Sequence, residues 1–139
     1  ALIRSKHIFM GEKDFQQYFL IKKILGKKYK VNIIGHPIIR DKNKVALSTR
    51  NKLLNKKSIY ITSCIAKRLI NLKKNFKIKK LKMPNSLLKI KSDFEKKYKV
   101  KVDYLEFRDE KNLKLNNFKS KYRLFIAYYI NNIRLIDNF

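Results

Sequence analysis

A strand, a helix and a second strand fall within roughly the first 35 residues, and this order constrains the fold more tightly than anything later in the chain. Residues 1 to 10 read as a short helix end followed by a buried strand, His7-Ile8-Phe9-Met10. From residue 14 to about 26, Phe15, Tyr18, Phe19, Ile21 and Leu25 recur at helical spacing, and Gly26 is the expected stop. Val31-Asn32-Ile33-Ile34-Gly35 is the second strand, too apolar to face water on both sides. Such a unit implies parallel strands joined by a right-handed crossover. Ligands of parallel sheets gather at the carboxyl ends of the strands, where Gly11 and Gly35 stand. The corner Gly11-Glu12-Lys13-Asp14 leads into a helix N-terminus, which carries roughly half a positive charge and suits an anion. Lys13 is expected to add a mobile cation, Asp14 to cap the helix, and Gln17 to share Asp14's face three residues on. A capped surface helix with a solvated lysine is the plainer alternative.

Beyond His36-Pro37 come Ile38-Ile39-Arg40, a polar turn Asp41-Lys42-Asn43-Lys44, and Val45 to Asn51. A domain boundary is expected near residue 43, dividing the chain into 1–43 and 44–139. Ile61, Ile65, Leu69, Leu72 and Phe76 form one apolar stripe on a helix from about Ser58 to Phe76. Lys77 to Lys82 reads as a basic linker. Met83-Pro84 starts another helix, whose expected buried face is Leu87, Leu88, Phe94 and Tyr98. The period then changes to two: Val100 to Arg108 and Tyr122 to Ile130 are strands. Asn131-Asn132 makes a tight turn into Ile133 to Ile136, because asparagine tolerates positive φ. The expected class is α/β: the end of a parallel sheet, followed by a small α+β domain with a mainly antiparallel sheet.

Charge narrows the function less than its size suggests. The 139 residues carry a formal net charge of +26. Nucleic-acid binding, attraction to an acidic membrane and a composition biased toward lysine all account for it. Lys, Ile and Asn share A/T-rich codons, and lysines lie on every segment instead of forming one basic stripe. Such a field favours non-specific polyanion binding at low salt whatever its origin. The single cysteine, Cys64, cannot form an internal disulfide and reads as a small core residue. No apolar run approaches the roughly 18 residues of a membrane span, and no signal-peptide pattern opens the chain. The cytoplasm is therefore the expected location. Because the chain starts at Ala1 and falls almost at once into strand-like sequence, it reads as a piece whose beginning lies elsewhere.

Ser48-Thr49-Arg50-Asn51 is the second group of candidate site residues. Two hydroxyls beside an arginine can donate several hydrogen bonds to phosphate oxygens; an N-cap with an exposed arginine is the alternative. Neither a Walker loop nor a G-x-G-x-x-G fingerprint is present. His7 and His36 have no nearby Cys or hydroxyl partner in sequence and read as core or rim residues. Asp103, Glu106, Asp109 and Glu110 lie among lysines and read as surface or ion-pair carboxylates.

At these residues the chain resembles pantothenate synthetases (pantoate–β-alanine ligases). Gly11-Glu12-Lys13-Asp14-Phe15-Gln16-Gln17 is similar to that family's GEKD[FY]QQ motif. Arg40 and Ala46-Leu47-Ser48-Thr49-Arg50-Asn51 resemble its VRE…LA[ML]SSRN segment at the same distance. Val102 to Asp109 resembles VDYVEVRD, and Arg134-Leu135-Ile136-Asp137-Asn138 resembles the terminal RLIDN. The resemblance implies a Rossmann-like sheet of nucleotidyl-transferase type followed by a lid domain. It also implies coupling of pantoate to β-alanine with ATP and Mg²⁺ through a pantoyl-adenylate, in a homodimer when full length. By position, Gly11, Lys13 and Asp14 would meet ATP, with Lys13 at the phosphates and Asp14 near the ribose; Gln17 would hold pantoate. Ile39 would lie against the adenine, Ser48, Thr49 and Arg50 would form the phosphate clamp, and Leu47 would also contact the nucleotide. Lys13, Ser48, Thr49 and Arg50 are the implied catalytic groups.

Three departures qualify the resemblance. Leu47 replaces a commoner methionine, Thr49 a serine, and Lys44 stands where glycine is usual, so the turn before the clamp is expected to differ. The family's HxGH-bearing amino half, with its magnesium-binding acid, is not among these residues, and the chain is expected to be inactive alone. A basic nucleic-acid-binding module is the rival reading, resting on Tyr and Phe residues in the strands that could stack on bases.

Overall fold

The computed structural model describes residues 5–76, 83–115 and 121–139, side chains 83–85 excepted. The expected basic linker, Lys77 to Lys82, lies outside the described residues, as does most of the helix end expected before His7. The chain forms two compact units, Ala1–Ile39 and Arg40–Phe139.

In the first unit, β1 (His7–Gly11) pairs in parallel with β2 (Asn32–His36), Gly11 opposite His36, and α1 (Phe15–Tyr29) makes the crossover. The periodic residues of α1 bury Phe15 and Tyr18, and β2 buries Ile33. Gly35 has a packing role: a Cβ there would lie 2.9 Å from the Tyr18 ring and from Glu12 Oε1. Two expectations are corrected. The strand before Gly11 is not buried, for Phe9 is 69% exposed, since two strands and one helix offer its ring nothing to pack on among the described residues. The helix also does not stop at Gly26. It runs on to Tyr29 and ends where Lys30 takes a left-handed φ of 52°, a role glycine fills more readily. A Cβ at Gly26 would make only ordinary contacts, 3.4 Å from Val31 O and 3.6 Å from the Ile33 side chain, so the helix passes through this position without needing glycine.

The second unit contains α2 (Lys56–Phe76), α3 (Met83–Tyr98) and an antiparallel sheet ordered β3 (Lys101–Asp109), β4 (Tyr122–Ile130), β5 (Ile133–Asn138). The α2 stripe enters the core, with Ile65 and Leu69 essentially inaccessible. On α3 the buried face is Leu87, Ile90, Phe94 and Tyr98. Leu88, expected on that face, is instead 64% exposed, because one residue turns a helix by about 100°. The central strand β4 supplies Leu124, Ile126 and Tyr128. Phe76, Phe107 and Tyr122 form an aromatic cluster, the first two stacked at 4.5 Å and Tyr122 edge-on to both. Asn131 and Asn132 both take positive φ, so the expected β4–β5 hairpin turn is present. Burial pushes the Tyr128 phenol well above its ordinary pKa, partly offset by a hydrogen bond with Thr62.

Candidate functional site

Gly11 ends β1 and Glu12–Asp14 make one 3-10 turn before α1. The Gly11 backbone is ordinary, with φ −70° and ψ 130°, and among the described residues nothing lies within 4 Å of where a Cβ would stand. Neither conformation nor packing among the described residues calls for glycine at this position. What the missing Cβ leaves is open space above backbone at the carboxyl end of a parallel strand, the place where a ligand approaches main chain. Asp14 occupies the N-cap position of α1, but its side chain makes no capping hydrogen bond, contrary to expectation. Its backbone, at φ −95° and ψ 55°, continues the preceding turn instead of adopting the extended geometry of a cap. Asp14 and Gln17 are exposed, while Lys13 is half-buried and so less mobile than the sequence suggests.

The second candidate segment follows a compact hairpin. Arg40 bridges to Ala46, the Asp41 N–H donates to Val45 O, and Asp41 Oδ1 accepts from the N–H groups of Asn43 and Val45 at 2.8 and 2.9 Å. Lys44 adopts a left-handed φ of 70°. The backbone takes a glycine-like conformation with a lysine in place, at a cost of roughly 1–2 kcal/mol relative to a right-handed residue. Val45 and Ala46 are buried, and Leu47 is 54% exposed. Ser48 then caps a second 3-10 turn, Thr49–Leu53, its Oγ accepting from the Arg50 N–H at 3.3 Å. The hydroxyl proton is not used in that bond and can still be donated. Asn51 Nδ2 donates to Ala46 O at 3.0 Å and ties the turn to the hairpin. Arg50 is exposed, with one long contact from Nη1 to Arg134 O at 3.4 Å. Thus Ser48, Thr49 and Arg50 share one short, anchored turn, which is also the geometry of the plainer N-cap reading.

His7 and His36 are exposed, hence rim residues. Asp103, Glu106 and Glu110 pair with Arg134, Arg108 and Arg123. The Asp103 contact holds the Arg134 guanidinium above its ordinary pKa. Asp109 departs from the surface reading: it is buried, and Oδ1 accepts from the N–H groups of Lys111 and Asn112. Cys64 is half-buried and contacts the Tyr60 hydroxyl, whose pKa it raises. Among the described residues no group of three or more His, Cys, Asp or Glu could hold a metal ion, and no helix is long and apolar enough to cross a membrane. The aromatics on which the nucleic-acid reading leaned include Phe107, Phe125 and Tyr128, which are at most 4% exposed and buried away from any base. Local pattern did not reveal Ser63 or Arg40, nor that Asn51, already among the candidates, acts as an anchor. Ser63 Oγ donates to Asn43 O from α2, and Arg40 reaches Asp137 across 97 residues of sequence. Only the recurrence of Arg40 and Asn51 in the motif pointed to them.

Comparison with known proteins follows the same residues. The family model for pantoate-beta-alanine ligase matches residues 1–139. Pantothenate synthetase from Flavobacterium psychrophilum is 36% identical over 142 residues, covering 99% of this chain and 49% of the relative. That from Christiangramia forsetii is 36% identical over 141 residues with the same coverage. The chain therefore spans about half the length of the curated relatives it matches. Among solved structures, the pantoate-beta-alanine ligase of Francisella tularensis complexed with beta-gamma ATP and beta-alanine superposes with a TM-score of 0.68 and 32% identity. The match covers 96% of this chain and 43% of that one. Pantothenate synthetase from Thermus thermophilus gives a TM-score of 0.76 at 21% identity over 96% of this chain and 49% of its own, a likeness of fold.

Proposed function

This chain belongs to the pantoate-beta-alanine ligase family, and from that premise we propose that it serves the ATP-dependent condensation of pantoate with β-alanine. In the proposed division, residues 1–43 are the carboxy-terminal part of the nucleotide-binding domain and 44–139 the lid. A pantoate carboxylate oxygen bonds to the α-phosphorus, the bond to the β-phosphate oxygen breaks, and pyrophosphate leaves. The β-alanine amine then attacks the acyl carbon of the adenylate; the C–N bond forms, an amine proton is lost to solvent, the bridging C–O bond breaks, and AMP departs with the former carboxylate oxygen. No side-chain nucleophile enters either step.

The residues supply position and charge. Negative charge spreads over the phosphate oxygens as pyrophosphate leaves, and donors aimed at those oxygens stabilise the transition state. We assign Lys13, Ser48, Thr49 and Arg50 to this role, the Ser48 proton being free of the cap bond. Gly11 admits the nucleotide to open space over its backbone. We assign Asp14 to the ribose, Gln17 to pantoate, and the exposed apolar side chains of Ile39 and Leu47 to the base and its neighbourhood. In this reading the phosphate donors and the open ground at Gly11 are assigned to ATP. Magnesium is proposed to take its protein ligand from the family's amino half, outside these residues; among the described residues no group of three or more His, Cys, Asp or Glu could hold it, so no step is routed through it here. A homodimer and a cytoplasmic setting complete the proposal.

The observation that most supports this reading is that the family match extends over all of residues 1–139, both candidate segments included. Calorimetric titration of the chain with ATP near physiological salt tests it. Saturable binding is expected, weakened at least about tenfold by Lys13→Ala or Arg50→Ala, the worth of one hydrogen bond to a charged group. Binding that fades in proportion to added salt and ignores both substitutions would be mere polyanion attraction and would overturn the assignment.

A further inference from the structure

We infer that Arg40 and Asp137 are a positioning pair for the Ser48-Thr49-Arg50 turn, an inference that rests on the phosphate-binding role proposed above. Arg40 touches no proposed substrate group. Its Nη1 donates to Asp137 Oδ2 at 2.7 Å and to Lys44 O at 3.0 Å; its Nη2 donates to Asp137 Oδ1 and Asn138 O, both at 2.9 Å. The guanidinium carbon lies 4.4 Å from the centre of the Phe139 ring. Three consecutive residues at the end of β5 therefore grip one side chain through a carboxylate, a carbonyl and a ring face.

The grip is itself firmly built. Phe139 exchanges both backbone hydrogen bonds with Leu124 on the central strand, and the Asn138 side chain accepts from Arg123. The Arg40 and Asp137 side chains are 17% and 12% exposed, so water competes little for their hydrogen bonds. At the other end, Arg40 is the first residue of the hairpin that runs into Leu47–Arg50, and it holds that hairpin at two points. Its backbone bridges to Ala46, and its guanidinium binds Lys44 O. Asn51 then carries the constraint from Ala46 O into the turn. Hydrogen bonds and one peptide link thus join the buried central strand to the residues proposed to meet phosphate.

A fork of two parallel N–H···O bonds fixes orientation, which a lysine cannot do. The comparison of Arg40→Lys and Asp137→Asn with the unsubstituted chain is therefore the test, read by three measurements. Hydrogen exchange should quicken about tenfold at the amides of Asn43, Val45 and Arg50 while that of Leu124 and Ile126 changes little. ATP affinity should fall at least about tenfold, whereas adenosine affinity, which needs no phosphate clamp, should change less than about threefold. Equal losses for ATP and adenosine, or unchanged exchange at Asn43–Arg50, would overturn the inference and leave the pair a fold-stabilising contact. Failure of both variants to fold, judged by circular dichroism, would overturn it in the same way. A different result, no ATP binding by the unsubstituted chain, would overturn the phosphate-binding reading itself and the clamp positioning with it.

Discussion

In the carboxy-terminal unit Leu69, Phe94 and Leu124 are wholly inaccessible, whereas in the amino-terminal unit Phe9, Ile24 and Tyr29 are each more than half exposed. Both units have apolar strands and an amphipathic helix, so hydrophobicity alone does not explain the contrast. The difference lies in what each sheet can pack against. Three antiparallel strands with two helices enclose Leu124 from all sides, and an antiparallel sheet is stable with one face solvated. Two parallel strands with one crossover helix cover only part of themselves, and parallel sheets are ordinarily covered on both faces. The same openness that leaves Phe9 in water leaves Gly11 accessible at its strand end. In this molecule the unit with the least enclosed core presents the open glycine corner, and the unit with the better core builds an anchored turn.

The strongest way to break this comparison is to remove one ring from each unit. Phe94→Ala should cost about 3–5 kcal/mol by chemical denaturation of the whole chain, whereas Phe9→Ser should change stability by less than about 0.5 kcal/mol. Similar losses would mean that Phe9 has a partner and that the amino-terminal unit is better enclosed than described. Next come the two strand-end glycines. Gly35→Ala should destabilise by roughly 1–3 kcal/mol through overpacking against Tyr18, while Gly11→Ala should be nearly neutral for stability and yet weaken ATP binding. A stability loss at Gly11 would assign that glycine to packing.

Smaller effects refine the carboxy-terminal side. Lys44→Gly should relieve the left-handed φ and stabilise by up to about 1 kcal/mol, the gain being reduced by the greater freedom of unfolded glycine. A loss instead would show that the Lys44 side chain contributes something the hairpin needs. At neutral pH the smallest effect concerns Tyr128. Its phenol has a higher pKa in the fold than in the unfolded chain, so the folded state retains a proton that the unfolded state loses above about pH 10. The associated stability is complete below that pH and declines as pH rises beyond it. Tyr128→Phe should flatten the alkaline limb of a stability profile; an unaltered limb would place the lost proton elsewhere.

Sequence carried the elements well where structure is local. The α2 stripe from Ile61 to Phe76 and the Asn131-Asn132 turn were legible because three-to-four-residue periodicity and tolerance of positive φ belong to the residues themselves. The end of α1 was not, because Lys30 takes the left-handed position where glycine would have signalled a stop. Nor was the exposure of Phe9, which depends on neighbours that no window of sequence contains. The candidate residues were legible as motifs, but their supports were not. Arg40 meets Asp137 only after the whole carboxy-terminal sheet is in place, and Ser63 meets Asn43 only when α2 packs beside the hairpin.

The most direct test of the central claim is hydrogen exchange on the full chain with and without ATP, at an ionic strength that screens loose attraction to the lysines. The account predicts slowed exchange at Gly11–Asp14 and at Leu47–Arg50, with the lysine-rich stretches of α2 and α3 unchanged. Slowing spread over those helices, or none at either segment, would contradict it.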